Sequence, residues 1–191
     1  MATGNCSLED NVERILITEA ELNERVRQLA QQIDADYEDY DDLLLICVLK
    51  GGYVFLSDLS RALRRPHELD FMGTSSYGAS TVSSGAVQII MDLKQPIAGR
   101  HVLVVEDIID SGRTLDYMRR TLLARGPASL RICTLLNKPA RREIDVTVDY
   151  VGFDIPDEFV VGYGLDFDEL YRNLPFVAVL KPAVFAHLNR P

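Results

Sequence analysis

The chain of 191 residues has no tryptophan and only three cysteines, Cys6, Cys47 and Cys133. Their odd number and wide spacing argue against a disulfide framework. Cys47 and Cys133 lie inside apolar runs, as buried structural thiols do. A reducing, cytoplasmic compartment is therefore expected. No apolar run approaches the ~18 residues that cross a bilayer, so no membrane partner is expected. The opening Met-Ala-Thr-Gly-Asn-Cys-Ser has neither a basic nor an apolar region, and no secretory signal is expected. Positive charge is scarce: 20 Lys and Arg against 29 Asp and Glu leave a net charge of −9. Nucleic-acid backbones are held by clustered cations, so this balance argues against such a partner. The G-x-x-x-x-G-K-[ST] pattern is missing, and Gly162-Tyr-Gly164 lacks the third glycine of G-x-G-x-x-G. The common nucleotide-binding alternatives fall away.

What is there is ordinary for a globular protein, with 47% apolar and 26% charged residues. The length suits a single domain over residues 12–191 with a small hood, preceded by a disordered N-terminus, residues 1–11. There are no repeats and no low-complexity segments. Thr18-Glu-Ala-Glu21 reads as a capping box, opening a helix whose apolar face is Leu22, Val26, Leu29 and Ile33. The acidic run 34–42 reads as a solvated loop, with a metal site as the lesser alternative. Leu43 to Leu49 forms a continuous apolar strand, and Val54, Phe55, Leu59 and Leu63 mark a second helix. Strands are expected at 69–72, 87–91, 102–105, 130–136, 146–153 and 176–180, with a polar loop at 73–85. Alternating strand and helix predicts an α/β fold with a doubly wound, mainly parallel central sheet. Ligands of such sheets sit beyond the carboxyl ends of the strands. Lys50, Glu106 and Lys138 each follow a predicted strand and should line that edge.

The most telling stretch is Val102-Leu-Val-Val-Glu-Asp-Ile-Ile-Asp-Ser-Gly-Arg-Thr114. A buried strand hands over, through small residues, to a helix marked by Leu115, Met118, Leu122 and Leu123 and stopped by Gly126-Pro127. Such a turn aims backbone N–H groups and a helix dipole at one spot, which suits a phosphate. The carboxylates upstream are placed to accept from sugar hydroxyls or to hold a divalent cation.

This stretch resembles the phosphoribosyl-diphosphate (PRPP) motif of the phosphoribosyltransferases of type I, in the form of the hypoxanthine-guanine branch. Leu49-Lys-Gly-Gly52 is similar to that family's first diphosphate loop, and Ser75-Ser-Tyr77 to the start of its mobile flap. Ile155-Pro-Asp-Glu-Phe-Val-Val-Gly-Tyr-Gly-Leu-Asp166, with Tyr171-Arg172, looks like its C-terminal segment for base and diphosphate. The likeness runs from about Ile15 to Leu180.

The resemblance implies a Mg²⁺-dependent purine-salvage enzyme joining hypoxanthine, and guanine as well, to PRPP to give the nucleoside monophosphate and diphosphate. Asp110, Ser111, Gly112, Arg113 and Thr114 would cradle the 5′-phosphate, with Thr114 open to a second reading as a helix cap. Glu106 and Asp107 would bind the ribose hydroxyls, directly or through hydrated Mg²⁺. Asp110 is the candidate acid/base at N7, or else a turn acid that organises the loop. Lys138 would donate to the exocyclic O6, unless it is merely an exposed strand end. Phe159 would stack on the purine, although a Phe beside Val-Val is often core, and Val160 would meet the base edge through its backbone. Asp166 would complete that side and coordinate the Mg²⁺ of the diphosphate. Lys50, Gly51 and Arg172 would hold the diphosphate, with a surface salt bridge as the alternative for Arg172. A cis peptide is implied between Leu49 and Lys50, and Ser76 and Tyr77 would open a lid. The family usually forms homodimers or homotetramers. Rival readings are a same-fold enzyme preferring xanthine and a PRPP-fold regulator that binds nucleic acid.

Overall fold

The computed structural model describes residues 8–76 and 87–185. Leu8–Asn11, expected within a disordered terminus, instead forms a 3-10 turn. It is tied down because Asn11 Nδ2 donates to the Tyr171 hydroxyl at 2.9 Å and Asn11 O accepts from Lys181 N at 2.9 Å. Next comes β1 (Val12–Ile17), a strand the sequence pattern does not reveal. The predicted capping box opens α1 (Glu19–Asp36): Glu21 N donates to Thr18 Oγ1 at 3.3 Å, and Glu21 Oε2 accepts from Thr18 N at 2.8 Å. The helix reaches into the acidic run, so 34–42 is not wholly a solvated loop. Tyr37 is buried beneath the Arg131 guanidinium, and Asp36 pairs with Arg131 at 2.8 Å.

Then follow β2 (Leu43–Leu49), α2 (Tyr53–Ala62), β3 (Glu68–Ser76), β4 (Val87–Met91), β5 (His101–Ile109), α3 (Arg113–Leu123), β6 (Ser129–Asn137), β7 (Tyr150–Asp154), β8 (Val160–Val161), β9 (Val177–Leu180) and a last turn of helix. Among the described residues six strands form the main sheet, in the order β4-β3-β2-β5-β6-β7, parallel except for β4. The doubly wound expectation holds. In β2 the side chains alternate between faces: Leu43, Leu45 and Cys47 pack with α1 and α2, while Leu44, Ile46 and Val48 pack with α3. Both thiols, Cys47 and Cys133, are free and buried, as expected. Burial pushes the Cys47 thiol up to about 12.

A small antiparallel sheet, β1-β9-β8, makes the hood. Its core joins Val161, Tyr171, Leu174 and Leu180. Tyr163 fastens it to α2 by donating to Asp58 Oδ2 at 2.7 Å.

Two expected elements change. The strand foreseen at 146–153 begins only at Tyr150, because Val146 packs into the α3-side core and Asp149 Oδ2 takes the Ile132 amide at 2.8 Å. The polar loop foreseen from Gly73 starts later, since Gly73 to Ser76 pair with β4.

Candidate active site

The strand that carries the acidic pair is longer than the expected 102–105. Glu106 is therefore inside β5 rather than beyond it, because the ladder to β6 continues through Glu106↔Thr134 and Ile109↔Asn137. Lys50 and Lys138 do follow β2 and β6 directly. All three sit at one edge of the main sheet, as expected.

The turn after β5 forms the cradle. Gly112 holds φ +86 and is the residue that caps α3, so Thr114 stands inside the helix and is not its cap. Gly112 has no side chain to cap the helix, and apart from a long bond from Arg113 N to Ser111 Oγ at 3.4 Å the helix start is left to an anion. Glu106, Asp110, Ser111, Gly112 and Thr114 line a cavity of about 110 Å³ there. Its volume is that of roughly three to four waters. Arg113 contributes backbone only, because its guanidinium donates to Glu143 Oε2 at 2.8 Å. The segment after Lys138 backs the cradle: Glu143 N and Ile144 N both donate to Ser111 O at 3.0 Å. Arg141 Nε lies 3.1 Å from Asp110 Oδ1. That contact was not legible beforehand, and its only signal was a pair of arginines three and four residues past Lys138.

Lys138 is 6% exposed and is one of three buried polar side chains among the described residues, which removes the reading of a solvated strand end. A buried ammonium is costly unless something is bound to it. Its amide donates to Ile109 O at 3.0 Å, fixing it beside Asp110. Phe159 is not core: half its surface is exposed, and it stands edge-on to Phe167 and Phe185. Val160 is buried in β8.

Glu106 and Asp107 are crowded by protein. Burial holds the Glu106 carboxyl well above the usual range, and the neighbouring Asp107 charge adds to this. Burial raises Asp107 to about 6, against the pull of amide hydrogen bonds and Arg172. Glu106 Oε2 is buried with no hydrogen-bond partner. Such a pair is built for a cation or for hydroxyl donors. Among the described residues no three acidic, His or Cys groups gather at one point, so Glu106, Asp107 and Asp166 do not form a single cage. A sparse donor set of this kind fits Mg²⁺, which keeps waters and shares ligand oxygens.

The peptide between Leu49 and Lys50 is cis, as implied. Gly51 lies against the Asp107 carboxylate: a Cβ there would lie 1.5 Å from Asp107 Oδ2, so a side chain at this position would displace that acid. Arg172 donates to Gly164 O at 2.8 Å and pairs with Asp166 at 2.9 Å, so it is not a stray surface charge. Glu169, unforeseen in the sequence, bonds both Lys50 and Arg172. Ser76 ends β3, and Tyr77 lies outside the described residues.

The family model described as "Phosphoribosyl transferase domain" matches residues 12–168. The chain is similar to the hypoxanthine-guanine phosphoribosyltransferase of Mycobacterium tuberculosis, at 49% identity over 92% of this chain and 89% of that protein. It is 48% identical to the enzyme of that name from Bacillus subtilis, over 93% and 98% of the two chains. A crystal structure of a hypoxanthine phosphoribosyltransferase from Staphylococcus aureus superposes with a TM-score of 0.90 at 43% identity, covering 96% of this chain and 99% of that one.

Proposed function

The chain belongs to the phosphoribosyl transferase family, and from that premise we propose how it works. It is a purine-salvage phosphoribosyltransferase, transferring the phosphoribosyl group of PRPP to hypoxanthine to give IMP and diphosphate. Guanine is a second substrate in this reading, Mg²⁺ the cofactor, the cytoplasm the location and a homodimer or homotetramer the working form. No helix among the described residues is long and apolar enough to cross a membrane.

The observation that carries the reading is Lys138, buried and fixed one strand away from Asp110 at the rim of an anion cradle. The open amides of the 110–114 turn receive the 5′-phosphate. Glu106 and Asp107 accept from the ribose hydroxyls and hold hydrated Mg²⁺, with Asp166 on the diphosphate side. Bound Mg²⁺ supplies positive charge that offsets the diphosphate. Lys50, the Gly51 loop and Arg172 grip the departing diphosphate. The purine lies against the exposed Phe159 ring, with Val160's backbone at its edge and Lys138 donating to O6. Asp110 takes or shares the N7 proton as N9 becomes the nucleophile, after the Arg141 contact gives way. C1′ gains oxocarbenium character as the C–O bond to diphosphate breaks, and N9 then attacks it. Holding both reactants in one cleft supplies the orientation, and a lid opened by Ser76 and Tyr77 keeps water out.

The test is an ultraviolet assay with PRPP, Mg²⁺ and each of hypoxanthine, guanine, xanthine and adenine. Turnover is expected with the first two and absent with adenine. Conversion of none of them would end this reading, and xanthine as best substrate would reassign the Lys138 side of the pocket.

A further inference from the structure

The two cations assigned above to diphosphate already share an anion. Lys50 Nζ lies 2.9 Å from Glu169 Oε2, and Arg172 Nη2 lies 3.3 Å from the same oxygen. Arg172 Nη2 also reaches Asp166 Oδ1 at 2.9 Å, and Asp166 Oδ2 accepts from Glu169 N at 3.0 Å. Glu169 is carried on a tight turn closed by paired hydrogen bonds between Phe167 and Leu170, at 3.1 and 3.0 Å. Asp168 and Glu169 hold φ +53 and +63, a backbone region that non-glycine residues seldom adopt. The turn therefore presents a carboxylate to a fixed place between two ligand-binding cations. The side chains of Lys50 and Glu169 are both 65% exposed, so their pairing is weak and readily exchanged. Arg172 Nε is buried without a partner, a donor this carboxylate does not use.

We propose that Glu169 is an internal stand-in for diphosphate, holding Lys50 and Arg172 in the free enzyme and yielding them to PRPP. A diphosphate offers several charged oxygens where Glu169 offers one, so the ligand wins the exchange. The return of the carboxylate after reaction competes with product diphosphate and speeds its departure. The cost is apparent affinity, because the ligand binds only the fraction of molecules in which the cations are released. The inference rests on reading Lys50 and Arg172 as the diphosphate grip.

The experiment is calorimetric titration of magnesium diphosphate, and separately of IMP, into the wild type, Glu169→Gln and Glu169→Ala. Glutamine keeps the side chain's shape, and alanine removes it. Both variants should bind diphosphate about two- to fivefold more tightly, the scale an exposed ion pair supports. IMP binding should not change, because IMP leaves Lys50 and Arg172 untouched, and the gain in diphosphate affinity should shrink as salt rises. Stopped-flow release of diphosphate should be slower in the variants. Equal or weaker diphosphate binding in both variants overturns the proposal. A wild type that binds IMP but no diphosphate overturns the underlying reading instead, and does so before any variant is compared.

Discussion

Asp110 and Lys138 lie together because β5 and β6 run side by side and Ile109 O takes the Lys138 amide. Each has a separable role. Asp110→Asn keeps the loop's shape but cannot take a proton, so turnover should fall roughly 10²–10⁴-fold. PRPP affinity should change far less, since open amides bind the phosphate. Pre-steady-state rates alongside PRPP titration separate the two effects, and unimpaired turnover would take Asp110 out of the chemistry. Lys138→Ala should lose discrimination against adenine, because the donor that favours an oxo over an amino group is gone. Ratios of kcat/KM for hypoxanthine and adenine measure this, and unchanged ratios would move the O6 contact elsewhere. Glu106 and Asp107 tie the site to pH. Both have raised pKa values in the folded protein, Asp107 at about 6. They hold protons more tightly folded than unfolded, so their contribution is fully present below the ordinary carboxylate range. It is lost as pH rises through 6 and beyond. Between pH 5 and 8 the ligand-free wild type should lose stability relative to Glu106→Gln. Thermal melts across that window check it; parallel curves would mean that the acids are solvated.

At the scale of elements, the β5 turn and α3 act as one part. Gly112→Ala would force a side chain into φ +86 and bring its Cβ to 2.6 Å from Ile144 O. A loss of about 1–3 kcal/mol is expected, together with weaker binding of both PRPP and IMP. Chemical denaturation and titration report the two, and normal phosphate binding would show that the cradle does not need this turn. The turn was legible in the sequence because its signals are local: buried strand, small residues, helical period. The elements that escaped depend on distant partners. In β1 three of six residues are exposed, and it is a strand only because β9 pairs with it. In β8 two residues suffice for the same reason. The apolar alternation near Val146 and Val148 reflects packing on the α3 side, not a ladder. Within the site, residues in motif positions could be named in advance. Arg141 and Glu169 could not, since each matters through a partner 31 residues or more away, Asp110 for one and Lys50 for the other.

For the molecule as a whole, the pocket exists only while sheet edge and hood stay docked. Asp110 and Lys138 come from the main sheet, and Phe159 and Val160 come from the hood. The hood is held by Ile17, Val160 and Val177, which pack into the core of α1, α2 and β2, and by the Tyr163–Asp58 bond and the Lys50–Glu169–Arg172 chain. A nucleotide touching both parts should therefore stabilise the whole fold rather than one layer. Saturation at 100 times Kd contributes about 2.7 kcal/mol, which raises the melting temperature of a chain this size by roughly 5–11 °C. Scanning calorimetry with and without IMP should show one transition moved upward intact. Two transitions, with IMP shifting only one, would mean that the hood opens independently and that base and phosphate are bound by separate bodies.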